Sequence, residues 1–75
     1  MKVHYDQDVD ALYLGLSDQV PDGVVELAEG INLDTTSEGK ITGIEILRAS
    51  DRLNLNTILS YTLELDQALT SKKAA

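Results

Sequence analysis

Cysteine, tryptophan and phenylalanine are absent from this 75-residue chain, and proline and methionine occur once each. Without cysteine, neither a disulfide framework nor a thiolate metal site can add stability. Three tyrosines are the only aromatic residues, and no aromatic-plus-basic cluster suggests stacking on nucleic-acid bases. Basic residues are also scarce: 6 lysines and arginines stand against 13 acidic residues, a net charge of −7. Lysine and arginine neutralise phosphates, so this balance argues against nucleic acid and against anionic membrane surfaces as partners. A basic protein is the one class of partner that such a charge would steer inward. No apolar run approaches the roughly 20 residues of a membrane span, and MKVHYDQDVD lacks the apolar stretch of a signal peptide. Together with the missing cysteines, this sets the expectation of a cytoplasmic protein.

A chain this short forms one domain, expected over residues 1–70 with a frayed tail at 71–75. Its conformational entropy and the burial available to one small core nearly cancel. A second copy would bury apolar surface that one copy leaves wet, so a homodimer or higher homo-oligomer is expected.

Hydrophobic periodicity supplies the elements. Met1, Val3 and Tyr5 alternate with Lys2, His4 and Asp6, which predicts a strand. Leu12, Leu14 and Leu16 alternate with Ala11, Tyr13 and Gly15 and predict a second. The stretch Asp6-Gln7-Asp8-Val9-Asp10 between them reads as a hairpin loop, because an aspartate carboxylate accepts from backbone N–H groups two residues on. "SDQVPDG" is a turn cluster around the only proline. One long strand is expected from about Val24 to Thr35, with a bulge or bend at Gly30. "SEGK" forms a four-residue loop, and the last strand runs from Ile41 to Ala49.

Register follows from apolar matching. With Ser37 to Lys40 as the loop, Thr36 faces Ile41, Leu33 faces Ile44, Ile31 faces Ile46 and Glu29 faces Arg48. A slip by one residue would set Ile44 and Ile46 on the side of Asn32 and Asp34. Beyond Ser50, Leu55, Ile58, Leu59, Thr62, Leu65 and Leu69 have helical spacing, with Asn54 or Asn56 as the cap. The expected fold is α+β: an antiparallel four-stranded β-meander of two hairpins, with one C-terminal helix on one sheet face.

"YDQDVDALYLGL" followed by "INLDTTSEGKITGIEIL" resembles the YuzE-like family, domain of unknown function 2283. The family pattern is a Tyr-Asp start, an Asp-x-Leu-Tyr strand, an acidic turn and a Gly-Ile-Glu-Ile-Leu strand, and the likeness covers roughly residues 3 to 50. In the family the second turn often reads Asp-x-Asp-x-x-Gly, whereas Thr36 takes the second acidic position here. This departure weakens any cation site at that turn. The resemblance implies a small bacterial or archaeal protein without an assigned activity, and some members have been suggested as antitoxin-like partners of a neighbouring protein.

Several constellations carry possible chemistry. Asp6, Asp8 and Asp10 fill the first, third and fifth positions of a calcium loop. Ala11 stands where the sixth position needs glycine, and Ser17 where the twelfth needs glutamate. The stretch is therefore read as a turn, with no metal and no cofactor expected. Asp10, Asp34 and Glu45 are the candidate catalytic carboxylates, since two that lie close together push one pKa up. In the register above Glu45 lies opposite Asn32 and Asp34 opposite Gly43. The lone His4 reads as an exposed strand residue. Glu45, a charge inside "GIEIL", needs partners such as Asn32 or Tyr13. Tyr5, Tyr13 and Glu45 are the expected interface residues, because tyrosine combines contact area with a polar end. The leading expectation is a self-associating interaction module that makes its contact with the second sheet face, the one the helix leaves uncovered and from which Tyr13 projects. Its rivals are an antitoxin-like partner for a basic toxin and a carboxylate-based or metal-dependent enzyme.

Overall fold

In a computed structural model of the chain, residues 1–60 and 62–64 are described. Five strands come first: β1 (Lys2–Asp6), β2 (Ala11–Gly15), β3 (Gly23–Ala28), β4 (Ile31–Thr35) and β5 (Ile41–Leu47). Two short helices follow, α1 (Ala49–Arg52) and α2 (Leu55–Leu59). All neighbouring strands are antiparallel, in the order β1-β2-β5-β4-β3. The sheet is thus a β1–β2 hairpin joined edge to edge with a β3–β4–β5 meander, and β5 lies in the centre. No helix among the described residues is long and apolar enough to cross a membrane.

Two features of the expected fold are corrected. Residues 24–35 form two strands rather than one, so the sheet has five strands. Gly30, at φ 81°, lets Glu29-Gly30 reverse the chain completely, and Ala28 pairs with Ile31 directly across the turn. A register shift between Glu26 and Ala28 resets the alternation at Leu27. Val25 and Leu33 therefore share a face, as they also would on one continuous strand, and parity alone does not separate the two cases. The second correction concerns the helix. α2 ends at Leu59, and residues 62–64 are exposed and non-helical. Leu65, Leu69 and the 71–75 tail lie outside the described residues.

Pairing between β4 and β5 sets Ile31 against Ile46, Asn32 against Glu45, Leu33 against Ile44 and Asp34 against Gly43, as apolar matching requires. A shift after Asp34 then brings Thr35, not Thr36, opposite Ile41. Thr36 is used in the turn instead: its Oγ1 accepts from the N–H groups of Glu38 (3.2 Å) and Lys40 (3.1 Å). A hydroxyl there completes the loop without a carboxylate. Gly39, at φ 87°, supplies the left-handed residue that the same turn needs.

Glu29 does not face Arg48. Arg48 adopts a left-handed conformation (φ 52°) where β5 meets α1. Arg52 instead donates to the Glu29 carbonyl oxygen at 2.7 Å, and the Leu47 N–H donates to that of Gly30. Asn54 caps α2 by accepting from the Asn56 N–H at 3.0 Å.

The pleat divides the sheet into unlike sides. On one, the pairings align two apolar rows, Tyr5-Leu12-Ile46-Ile31-Ala28 and Val3-Leu14-Ile44-Leu33-Val25. On the other they align His4, Tyr13, Glu45, Asn32 and Glu26, and beside them Lys2, Gly15, Gly43, Asp34 and Val24. Among the described residues Leu12 and Ala49 are the fully buried apolar side chains.

Candidate functional site

The polar side is organised by Tyr13. It pairs with Glu45 on β5, and its diagonal neighbour on that strand is Gly43. With no side chain at Gly43, the Tyr13 ring leans across β5 and its hydroxyl donates to Asp34 Oδ2 on β4 at 2.7 Å. A Cβ built on Gly43 would fall 2.4 Å from the ring carbon that carries the hydroxyl. Asn32 Nδ2 donates to Glu45 Oε1 at 3.2 Å. The carboxylate at Asp34 raises the Tyr13 pKa above its ordinary value, first through the hydrogen bond and then with help from burial. Tyr13 and Glu45 are half-buried and joined to partners within their own chain.

A second cluster sits where the β1–β2 turn meets α1. Asp10 has φ 55°, a conformation aspartate tolerates better than most residues. Its Oδ1 accepts from the Tyr5 hydroxyl at 2.6 Å and from the Ser50 N–H at 3.0 Å, and its Oδ2 from Ser50 Oγ at 2.7 Å. The Asp10 carbonyl oxygen accepts from the Ala49 N–H at 2.9 Å. Asp10 therefore serves as a cap for α1, delivered from 40 residues earlier in the chain. The bond from Tyr5 and those from Ser50 hold its carboxyl below the ordinary range, and the same bond raises the Tyr5 hydroxyl. Asp6 accepts from the Asp8 N–H at 2.9 Å, the local bond that shapes the turn.

The three candidate carboxylates divide between these clusters. Asp34 and Glu45 share the polar side and have neutral partners, Tyr13 and Asn32. Asp10 is engaged with Tyr5 and Ser50 and shares no partner with the other two. Tyr5 lies in an apolar row, on the opposite side of the sheet from Tyr13. His4 is exposed beside Tyr13. Among the described residues no three His, Cys, Asp or Glu side chains are grouped to hold a metal ion.

Two concavities stand out among the described residues. One, of about 490 Å³, opens under the connection from β2 to β3 and is lined by Lys2, Tyr13, Leu16, Asp18, Pro21 and Thr42 among others. Tyr13, which lines it, has its hydroxyl bonded to Asp34. The other, of about 500 Å³, runs along His4 to Asp8 and is open to solvent. Sequence reasoning missed the roles of Gly43 and Ser50. A glycine diagonal to an aromatic residue on a neighbouring strand was a usable signal for the first, and nothing local marked the second.

Comparison with known proteins adds a family. The one described as "Protein of unknown function (DUF2283)" matches residues 2–50, which span all five strands and the start of α1. No curated protein and no solved structure matches the chain.

Proposed function

We propose, from the premise that the chain belongs to the DUF2283 family of proteins of unknown function, that this domain is a homotypic interaction module. It acts by binding a second copy of itself through the aliphatic side of its sheet. One observation carries the reading: of the ten residues in the two apolar rows, Leu12 alone is fully buried, and Val3 and Val25 at the ends are exposed. Apolar surface removed from water contributes about 25 cal/mol per Å². The two rows hold no charged residue, so two copies meeting there oppose no carboxylates. The polar side carries Asp6, Glu26, Asp34 and Glu45 against Lys2, and two such sides would repel in a chain of net charge −7. This moves the contact away from Tyr13 and Glu45, which are partnered at home.

Light scattering tests it. At about 100 μM, where a complex of micromolar Kd is mostly formed, the expected mass is at least twice 8.2 kDa. Apolar association persists in high salt, whereas charge attraction is screened. Tyr13→Phe and Glu45→Gln are expected to leave the mass unchanged. A single-chain mass at that concentration overturns the proposal. The rival, an acidic partner for a basic protein, predicts a salt-sensitive complex. It is less favoured because exposed Asp6 and Asp8 lie at the end of β1 and in the turn after it, while Asp18 and Asp22 lie in the β2–β3 connection at the other end of the sheet.

A further inference from the structure

The two outer strands are guarded unequally. β1 places Lys2, His4 and Asp6 at alternate positions, all exposed. β3 has one charged residue, Glu26, and all six of its residues are exposed, with Val24 at 66%, Val25 at 51% and Leu27 at 65%. An outer strand offers a row of unpaired N–H and C=O groups, and charges, prolines or bulges are what keep another strand from adding to it. The bulge near Leu27 is the guard on β3, and it lies at the C-terminal end of the strand.

We infer that β3 pairs antiparallel with β3 of a second copy, about a two-fold axis at Val25. This contact lies at the edge of the sheet, beside the face contact proposed above; it rests on that self-association and leaves the aliphatic side free to meet a further copy. Charge selects the register. An axis at Val24 would put Glu26 opposite Asp22, an axis at Glu26 would oppose it to itself, and an axis at Leu27 would fall on the bulge. At Val25, Val25 meets Val25, Glu26 meets Val24 and, past the bulge, Ala28 meets Gly23, so no like charges lie directly opposite within the two strands. The apolar row Val3-Leu14-Ile44-Leu33-Val25 then runs unbroken into the same row of the second copy. The edge is thus complementary to itself, which makes a second copy its occupant. Charged β1 blocks head-to-tail addition, and the pairing closes at two.

The absence of cysteine allows a clean test with single cysteines at Val25, Val24 and His4. Directly opposite residues in a sheet have Cα atoms about 4.5–5.5 Å apart, within disulfide reach, whereas diagonal neighbours exceed it. Under mild oxidation Val25→Cys is expected to form a covalent dimer on the order of tenfold faster than Val24→Cys or His4→Cys. Equal rates for the three overturn the edge pairing. If the mass in light scattering stays above one chain while Val25→Cys gains no advantage, the edge is wrong and self-association stands. A single-chain mass overturns both. As a second readout, Val25→Lys opposes two lysines and is expected to weaken the dimer, while Val24→Lys faces Glu26 and is expected to keep or tighten it. The reverse order contradicts the register.

Discussion

The two sides of the sheet meet their needs at different scales. On the polar side, Tyr13 finds Asp34 and Asn32 finds Glu45 within one chain. On the aliphatic side, ten residues in two rows leave Leu12 alone fully buried. A hydrogen bond is completed by a single neighbour, whereas apolar burial needs area, and a chain of 75 residues has little area to give. One side is therefore finished by local geometry, and the other calls for a second surface. Substitutions on the polar side should change stability without changing mass, and those at the aliphatic edge should do the converse.

The sharpest loss is expected at the centre of the aliphatic side. Leu12→Ala removes its one fully buried side chain, a change that costs about 2–5 kcal/mol in packed cores. Urea unfolding measures it, and a loss below about 1 kcal/mol would mean that this side packs no core at all.

Next is Gly43→Ala on the polar side, which drives a methyl group into the Tyr13 ring and should cost about 1–3 kcal/mol. Gly15→Ala is the matched control: its added Cβ meets neighbours at 3.6–3.7 Å, ordinary contact, and should leave stability nearly unchanged. Equal effects at the two glycines would break the account of Tyr13. Tyr13→Phe keeps the ring and removes the bond to Asp34, for about 1 kcal/mol. Its mass should match that of the unaltered chain.

The smallest effects come from titration, with opposite signs for the Asp10 carboxyl and the two tyrosine hydroxyls. Asp10 has a folded pKa below its ordinary 3.8. Its contribution is thus present above that value and is lost as pH falls through the lower, folded one. Tyr5 and Tyr13 have folded pKa values above 10.0. Their contribution is full below pH 10 and is lost as pH rises through the raised values. Urea midpoints followed across pH should decline at both ends. Asp10→Asn is expected to flatten the acid decline, and Tyr5→Phe and Tyr13→Phe the alkaline one. An alkaline decline untouched by either tyrosine variant would show that their hydroxyls are not bonded as described.

Legibility in the sequence followed the range of the interaction. Strand alternation and apolar matching were enough to place β1, β2 and the central β4–β5 register from Ile31 to Asp34. The Asp6-to-Asp8 bond in the first turn could also be read, because it spans two residues. The Glu29-Gly30 reversal was concealed by the bulge at Leu27, which restores on the returning strand the parity a straight strand would have had. Even so, Glu-Gly between apolar runs fits a hairpin turn. Asp10 and Ser50 lie 40 positions apart, and Tyr13 and Asp34 lie 21 apart. Such bonds follow from the strand order, which places β5 between β2 and β4. Before that order is known, Asp10, Asp34 and Glu45 are simply three acids. Afterwards Asp10 is a helix cap, Asp34 a tyrosine acceptor and Glu45 the partner of Asn32.

The most direct test of the contrast between the two sides is sedimentation equilibrium over a range of concentration, in low and in high salt. The account predicts a mass rising from 8.2 kDa to at least twice that value, with the high-salt curve no weaker than the low-salt one. A mass fixed at one chain throughout would contradict it.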